Sequence, residues 1–203
     1  DFSSLMEKQV IGKFTTEYLR GRTPNPCVDC NRYLKFGSLL QKARALGFDY
    51  LATGHYARIG YQGNRHRLLR PADTLKDQTY FLYPIAVGDL SRILFPLGGL
   101  VKGKVRSLAA AAGLHVARKP ESQDICFTPG GDYSRVFTDR KITVPEGEIV
   151  DRAGKVLGRH RGIIHYTVGQ RGGLGISARR PLYVLWLDAR NNRIVAGDKE
   201  ELF

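Results

Sequence analysis

The sequence predicts an α/β protein in three parts: an α/β segment over residues 1–86, a small mainly helical segment over 87–142 and a partial β-barrel over 143–203. Three observations carry this. A helix-periodic run, a glycine and a short apolar run follow one another between residues 35 and 56. A second helix-periodic run, again closed by glycine, lies at 102–113. From residue 143 onward, short β-like runs alternate with glycine turns.

Residues 35–46, KFGSLLQKARAL, put Phe36, Leu39, Leu40, Ala43 and Leu46 on one helical face, and Gly47 follows as a C-cap. FDYLAT then reads as a short buried strand running into GHYA. Helix, tight turn and strand form the unit of an α/β sheet. Ligands of such sheets bind beyond the carboxyl ends of strands, which is where Gly54 and His55 stand. YQGNRHRLLRPAD reads as a hairpin or loop, and KDQTYFLYPI leads into the second part. There KGKVRSLAAAAGL is a helix with Val105, Leu108, Ala109 and Ala112 as its apolar stripe and Gly113 at its end. In the third part PLYVLWLDARNNRIVAGD reads as a hairpin turning at Asn191-Asn192. Few strands follow residue 143, so the barrel is expected to be incomplete. DFSSLM is neither a signal peptide nor a Met start, so the chain is expected to begin partway into a longer one.

Composition narrows the function class. With 42% hydrophobic and 25% charged residues, the chain reads as a soluble globular protein. No apolar run approaches the roughly 20 residues of a membrane helix. The formal charge is +13, and residues 152–193 hold nine Lys or Arg against one acid, Asp188. An excess this large, spread over several segments, points to a polyanion and first to nucleic acid. No basic amphipathic helix speaks for a membrane surface. Three cysteines with no sign of secretion point to reduced thiols in the cytosol.

GRTPNPCVDCN carries Cys27 and Cys30 behind a proline-stiffened turn, and Cys126 lies far downstream in DICF. Zinc normally takes four ligands; one CxxC, a lone cysteine and histidines without HxxxH spacing fall short of the usual sets. A thioredoxin-like CxxC opens a helix after an aromatic-containing strand, whereas TPNP precedes this one. A small buried apolar residue is the bland reading; it suits Cys126 beside Phe127 and suits Cys30 poorly, in a polar stretch at a helix start with Arg32 and Lys35 nearby. Against it for Cys126 stands KPESQDICFTPGGDY, a Gly- and Pro-rich loop with basic Arg118 and Lys119 close by. Two thiols from distant segments suit chemistry in which one carries a sulfur atom and the other releases it.

GRTPNPCVDCN, YLATGHYAR, KDQTYFLYPI, LFPLGGLVKGKVRSLA, SQDICF and YTVGQRGGLGI occur in that order. Together they resemble the bacterial tRNA-specific 2-thiouridylases, over essentially the whole chain. The resemblance implies a truncated Rossmann-like PP-loop ATP pyrophosphatase domain over 1–86, a helical central domain over 87–142 and a tRNA-binding barrel over 143–203. It implies an ATP-dependent sulfurtransferase of the cytoplasm that adenylates the C2 carbonyl oxygen of the wobble uridine. Sulfur then comes from a cysteine persulfide loaded by a sulfur-relay donor protein. By motif, Cys126 matches the persulfide carrier; Cys30 matches the nucleophile that frees the sulfur and can pair with Cys126 as a disulfide. Gly54 matches an ATP contact and His55 a tRNA contact. Asn25, Pro26 and Cys27 match the segment facing the target base, and Lys76, Asp77 and Gln78 a tRNA-contacting triplet. Mg²⁺ is expected with ATP, and no structural metal. Gln170 and Arg171 are expected to shape the barrel or touch RNA. Two departures stand out. The family's SGGxDS phosphate loop is not in this sequence and is expected upstream, so this stretch alone should hold ATP poorly. Position 27 is Cys where many relatives carry Asp.

Overall fold

The computed structural model describes residues 1–120 and 124–202; Ser122 and Gln123 of SQDICF, and Phe203, lie outside them. The chain divides into two compact units that are not successive in sequence. The first is made of Asp1–Val10 and Pro26–Gln123, the second of Ile11–Asn25 and Asp124–Phe203. The segment read as a helical middle part, 87–142, is thus shared between them.

Helical segments at Ser3–Met6 and Glu7–Ile11 open the chain, and α1 (Gly12–Leu19) is the first helix wholly within the second unit. In the first unit α2 covers residues 26–45. It opens on Pro26, whose fixed φ and missing N–H suit a first helical position. After Pro26–Asp29 it widens into a π-helix over Cys30–Leu39 and returns to α-helix over Leu40–Ala45. Bonds from i to i+5 place the buried side chains Asn31, Phe36 and Leu40 five and then four residues apart. The α-helical face expected from sequence is therefore only partly inside. Phe36 and Leu40 are buried, while Leu39 is 37% and Leu46 62% exposed. Gly47 ends α2 as a C-cap, at φ 83°.

The expected strand FDYLAT shortens to β1 (Leu51–Ala52), which pairs in parallel with β4 (Ile93–Leu94). Between them β2 (Arg58–Gln62) and β3 (Arg65–Leu69) form an antiparallel hairpin. Its two turn residues, Gly63 and Asn64, both have positive φ (57° and 61°), as a tight twisted hairpin turn requires. Phe36, Leu40, Ala57, Leu82, Ile85, Leu90 and Ile93 make the core, with Leu51, Ile59, Leu68 and Phe95 against it. Gly98 closes on this core so tightly that a Cβ there would collide with the Ala57 carbonyl. The predicted helix appears as α3 (Lys102–Ala111), but no residue of it is buried. Half of its stripe is alanine, which offers little apolar area to bury.

In the second unit Phe14 and Tyr18 of α1 join Val136 and Phe137 of α4 (Arg135–Asp139), together with Ile163 and Ile164, in one apolar cluster. Beyond it lies a four-stranded sheet in the order β6-β5-β8-β7, with β5 (Gly147–Val150), β6 (Val156–His160), β7 (Tyr183–Asp188) and β8 (Arg193–Gly197). β5 runs parallel to β8 and the other pairs are antiparallel. Ile149, Val184, Ile194 and Ala196 pack one face with Tyr166 and Leu174; Val150, Leu185 and Val195 pack the other. Among the described residues this sheet stays open rather than closing into a barrel. Among the described residues no helix is long and apolar enough to cross a membrane.

Candidate active site

Three segments of the first unit meet around α2. Asn31, one residue after Cys30, is 2% exposed and donates from Nδ2 to the Phe81 carbonyl at 2.9 Å. That ties α2 to the turn following Lys76, Asp77 and Gln78. Gln78 in turn holds the GHYA loop twice: its Oε1 accepts from the Tyr56 N–H at 2.8 Å, and its own N–H donates to the Tyr56 carbonyl at 3.0 Å. The third link is the contact of the Phe36 ring with His55, 5.8 Å between centroids. Cys30, the loop beyond β1 and the Lys76–Gln78 segment are therefore one packed arrangement.

Within it Pro26 is buried, Cys27 is exposed and Cys30 is partly buried. Asn25, half-buried, falls in the second unit. The helix begins at Pro26 and not at Cys30, which corrects the sequence expectation. Cys27, in the first turn, stands closer to the unsatisfied N–H groups, while Cys30 opens the π-helical segment. Gly54 is exposed two residues past the carboxyl end of β1; a Cβ there would meet only Leu97 Cδ1, at an ordinary 3.6 Å. The backbone at Gly54 is thus open to a flat ligand. His55 lies between Phe36 and Phe95, with Nδ1 2.8 Å from Thr53 Oγ1. Burial, helped by the nearby Lys35 charge, pushes its pKa down to about 4, so the ring is neutral at neutral pH.

Lys76 closes a short 3₁₀ turn, Thr74–Lys76, capped by Asp73, which accepts the Leu75 N–H at 3.2 Å. Burial alone would raise the Asp77 carboxyl. Hydrogen bonds from Thr79 Oγ1 (2.7 Å) and N–H (2.9 Å), and the Arg70 guanidinium at 2.7 Å, outweigh it and hold its pKa below the usual value. Asp77 is thereby committed to orienting its neighbours. The sequence reading missed Asn31. Its signal is a polar residue five before a core phenylalanine, which shows only once the helix is known to be π.

Cys126 belongs to the second unit and is exposed. It stands at the tip of a turn closed by the Thr128 N–H and Oγ1, both donating to the Ile125 carbonyl (3.0 and 3.1 Å). Ile125 and Phe127 on either side pack inward, Phe127 edge-on to Phe14 at 5.4 Å, which turns Cys126 outward. The reading of Cys126 as a core residue is thus excluded. In the same unit Gln170 braces its loop, accepting from the Thr167 N–H (3.0 Å) and donating to the Gly172 carbonyl (2.8 Å). Arg171, Arg179 and Arg180 line a concavity of about 650 Å³ there, with Arg180 3.7 Å from Asp198. Among the described residues no three His, Cys, Asp or Glu side chains gather as a metal site.

Comparison with known proteins adds an independent line. The family model described as the tRNA methyl transferase HUP domain matches residues 1–130, and that described as the tRNA methyl transferase PRC-barrel domain matches residues 135–198. A protein of Syntrophus aciditrophicus named tRNA-specific 2-thiouridylase MnmA 1 is 53% identical over 203 residues, covering 100% of this chain and 55% of its own length. The tRNA-specific 2-thiouridylase MnmA of Geobacter metallireducens is 55% identical over 205 residues, with coverages of 100% and 55%. That of Acetivibrio thermocellus is 50% identical over 208 residues, with coverages of 100% and 57%. The chain spans a little over half the length of the curated relatives it matches.

Proposed function

We propose, from the premise that this chain belongs to the family of the tRNA methyl transferase HUP domain and its PRC-barrel companion, that the whole protein thiolates C2 of the wobble uridine in tRNA. The observation that carries the reading is the likeness to three proteins named 2-thiouridylases at 50–55% identity across 100% of this chain. Two placed thiols support it: Cys30 in the packed arrangement of the first unit and Cys126 on the outward turn of the second.

In this reading ATP supplies activation, turning the C2 carbonyl oxygen into a leaving group as an adenylate. Gly54, open and just past β1, is the residue of this chain that would take the nucleotide, and Mg²⁺ would accompany its phosphates. Asn25, Pro26 and Cys27 face the extracted base, because a base must leave its stack to be reached. His55, neutral, lies beside the entry as a hydrogen-bonding and stacking group rather than a cation. Lys76, Asp77 and Gln78 position RNA next to it. A donor protein loads Cys126 as a persulfide. Its outer sulfur attacks C2 and AMP leaves. The Cys30 thiolate then attacks the Cys126 sulfur, and the electron pair of the broken S–S bond stays on the sulfur now bonded to C2. The cytoplasm, with its reducing thiol pool, then restores both cysteines.

The test uses the full-length enzyme with tRNA, ATP and a persulfide donor, followed by mass analysis of the nucleosides. Cys30→Ser and Cys126→Ser are expected to lose 2-thiouridine altogether, and Cys27→Ser to keep a substantial fraction. Equal loss from Cys27→Ser and Cys30→Ser would show that the roles within the pair are assigned wrongly. A methylated in place of a thiolated nucleoside would sink the reading, since the family description itself names methyl transfer.

A further inference from the structure

We propose that the β2–β3 hairpin is an arginine-faced ribbon that binds the phosphodiester backbone of the RNA substrate. This rests on the tRNA reading above and adds a surface that the site residues do not include. The register pairs Arg58 with Leu69, Gly60 with Arg67 and Gln62 with Arg65. Alternate residues of a strand share a face, and directly paired residues lie on the same side. Arg58, Arg65 and Arg67 therefore stand on one face, all exposed, while Ile59 and Leu68 on the opposite face pack against the core. Residues 58–70 contain four arginines and no acid. Neither Arg65 nor Arg67 makes an ion pair among the described residues.

The ribbon is rigidly held. Its turn is a two-residue one, and Tyr61 Oη donates to Asn64 Oδ1 at 2.6 Å. At its base Arg58 Nε donates to the Arg70 carbonyl at 2.8 Å, and Arg70 Nε donates to Asp77 at 2.7 Å. The charged face is thus fastened directly to the Lys76–Gln78 segment. Arg65 and Arg67, two residues apart on one strand, lie about 7 Å apart. That is comparable to the step between successive phosphates of a nucleic-acid strand, and the guanidinium fork suits phosphate oxygens. An acidic protein surface fits less well, since this face offers little apolar area beyond Leu69 for the core of a protein interface.

The experiment takes the full-length enzyme, Arg65→Ala/Arg67→Ala and the control Arg65→Lys/Arg67→Lys. It measures the Kd for unmodified tRNA across a salt series, and kcat and KM for thiolation. Two phosphate contacts contribute about 1.4–1.8 to the slope of log K against log salt. The alanine pair is expected to lose that much slope and to raise KM with kcat unchanged. The lysine pair is expected to keep most of both, because the charge remains, and unchanged circular dichroism would show that the fold is intact. An unaltered slope and KM in the alanine pair overturns the ribbon's role while leaving the proposed function standing. Unaltered tRNA binding with slower sulfur uptake from a protein donor assigns the face to that protein and likewise overturns it. Failure of the unsubstituted enzyme to bind tRNA would instead bring down the underlying reading.

Discussion

His55 shows how a single side chain is set by its surroundings. Desolvation between Phe36 and Phe95 lowers its pKa from 6.5 to about 4, with Lys35 adding repulsion. The unfolded chain therefore binds a proton at this position in a range where the folded chain does not. By linkage the stabilising difference is complete above pH 6.5 and is lost progressively as pH falls toward 4. Replacing His55 with Gln removes this titration. Denaturant unfolding of the full-length protein over that range should show a shallower loss of stability for His55→Gln than for the parent, and parallel curves would contradict it. The neighbourhood of Gly54 and His55 was legible in the sequence, because a short apolar strand ending in GHYA marks a strand's carboxyl end. The exposure of Cys126 was legible only in part: its apolar neighbours Ile125 and Phe127 suggest burial, the Gly- and Pro-rich loop around it suggests access, and the turn closed by Thr128 decides for access.

At the scale of elements, turns and caps were more legible than faces. Gly47 and Gly113 close their helices where the sequence placed them, and Asn191-Asn192 lies in the connection between β7 and β8. These depend on one or two residues whose backbone freedom is intrinsic. Faces depend on helical phase, and a ten-residue π segment in α2 shifts that phase without altering composition. Gly98 is a further element-level constraint that local sequence does not reveal, since LGGL reads simply as a turn. Its Cα lies against the Ala57 carbonyl, directly after the residues that carry His55 and Tyr56, and its own carbonyl accepts the Ala72 N–H at 2.8 Å. The obstacle is backbone on both sides, so a methyl group cannot be accommodated by a rotamer change. Gly98→Ala should destabilise the protein by about 1–3 kcal/mol, the usual cost of overpacking. Thermal unfolding measures it, and an unchanged Tm would show that the two backbones can separate freely.

At the scale of the whole molecule, the two-unit division was the least legible feature. Ile11–Asn25 joins a unit whose remaining residues begin at Asp124, and the packing of Phe14 and Tyr18 against Val136, Phe137, Ile163 and Ile164 spans more than a hundred residues of sequence. No local pattern carries such a pairing. Charge, in contrast, is a sum and was readable at once, and its placement fits the role proposed for it. Exposed arginines occur in the first unit at Arg65 and Arg67, and in the second at Arg171 and Arg179. Under the proposed function, contacts of this kind hold phosphates and carry no base information, and discrimination of the wobble base is assigned to the segment at Asn25, Pro26 and Cys27. Affinity and specificity should then separate in salt. Four phosphate contacts give a slope near −3, so raising salt from about 50 to about 200 mM should weaken tRNA binding by the full-length enzyme about sixtyfold. The same salt change should raise the KM of tRNAs with a wobble uridine and the competitive Ki of variants with a wobble cytidine by the same factor, and leave the preference between them unchanged. A preference that collapses with added salt would mean that the arginines themselves read the base, which their positions on an outward ribbon and a glycine-rich loop argue against.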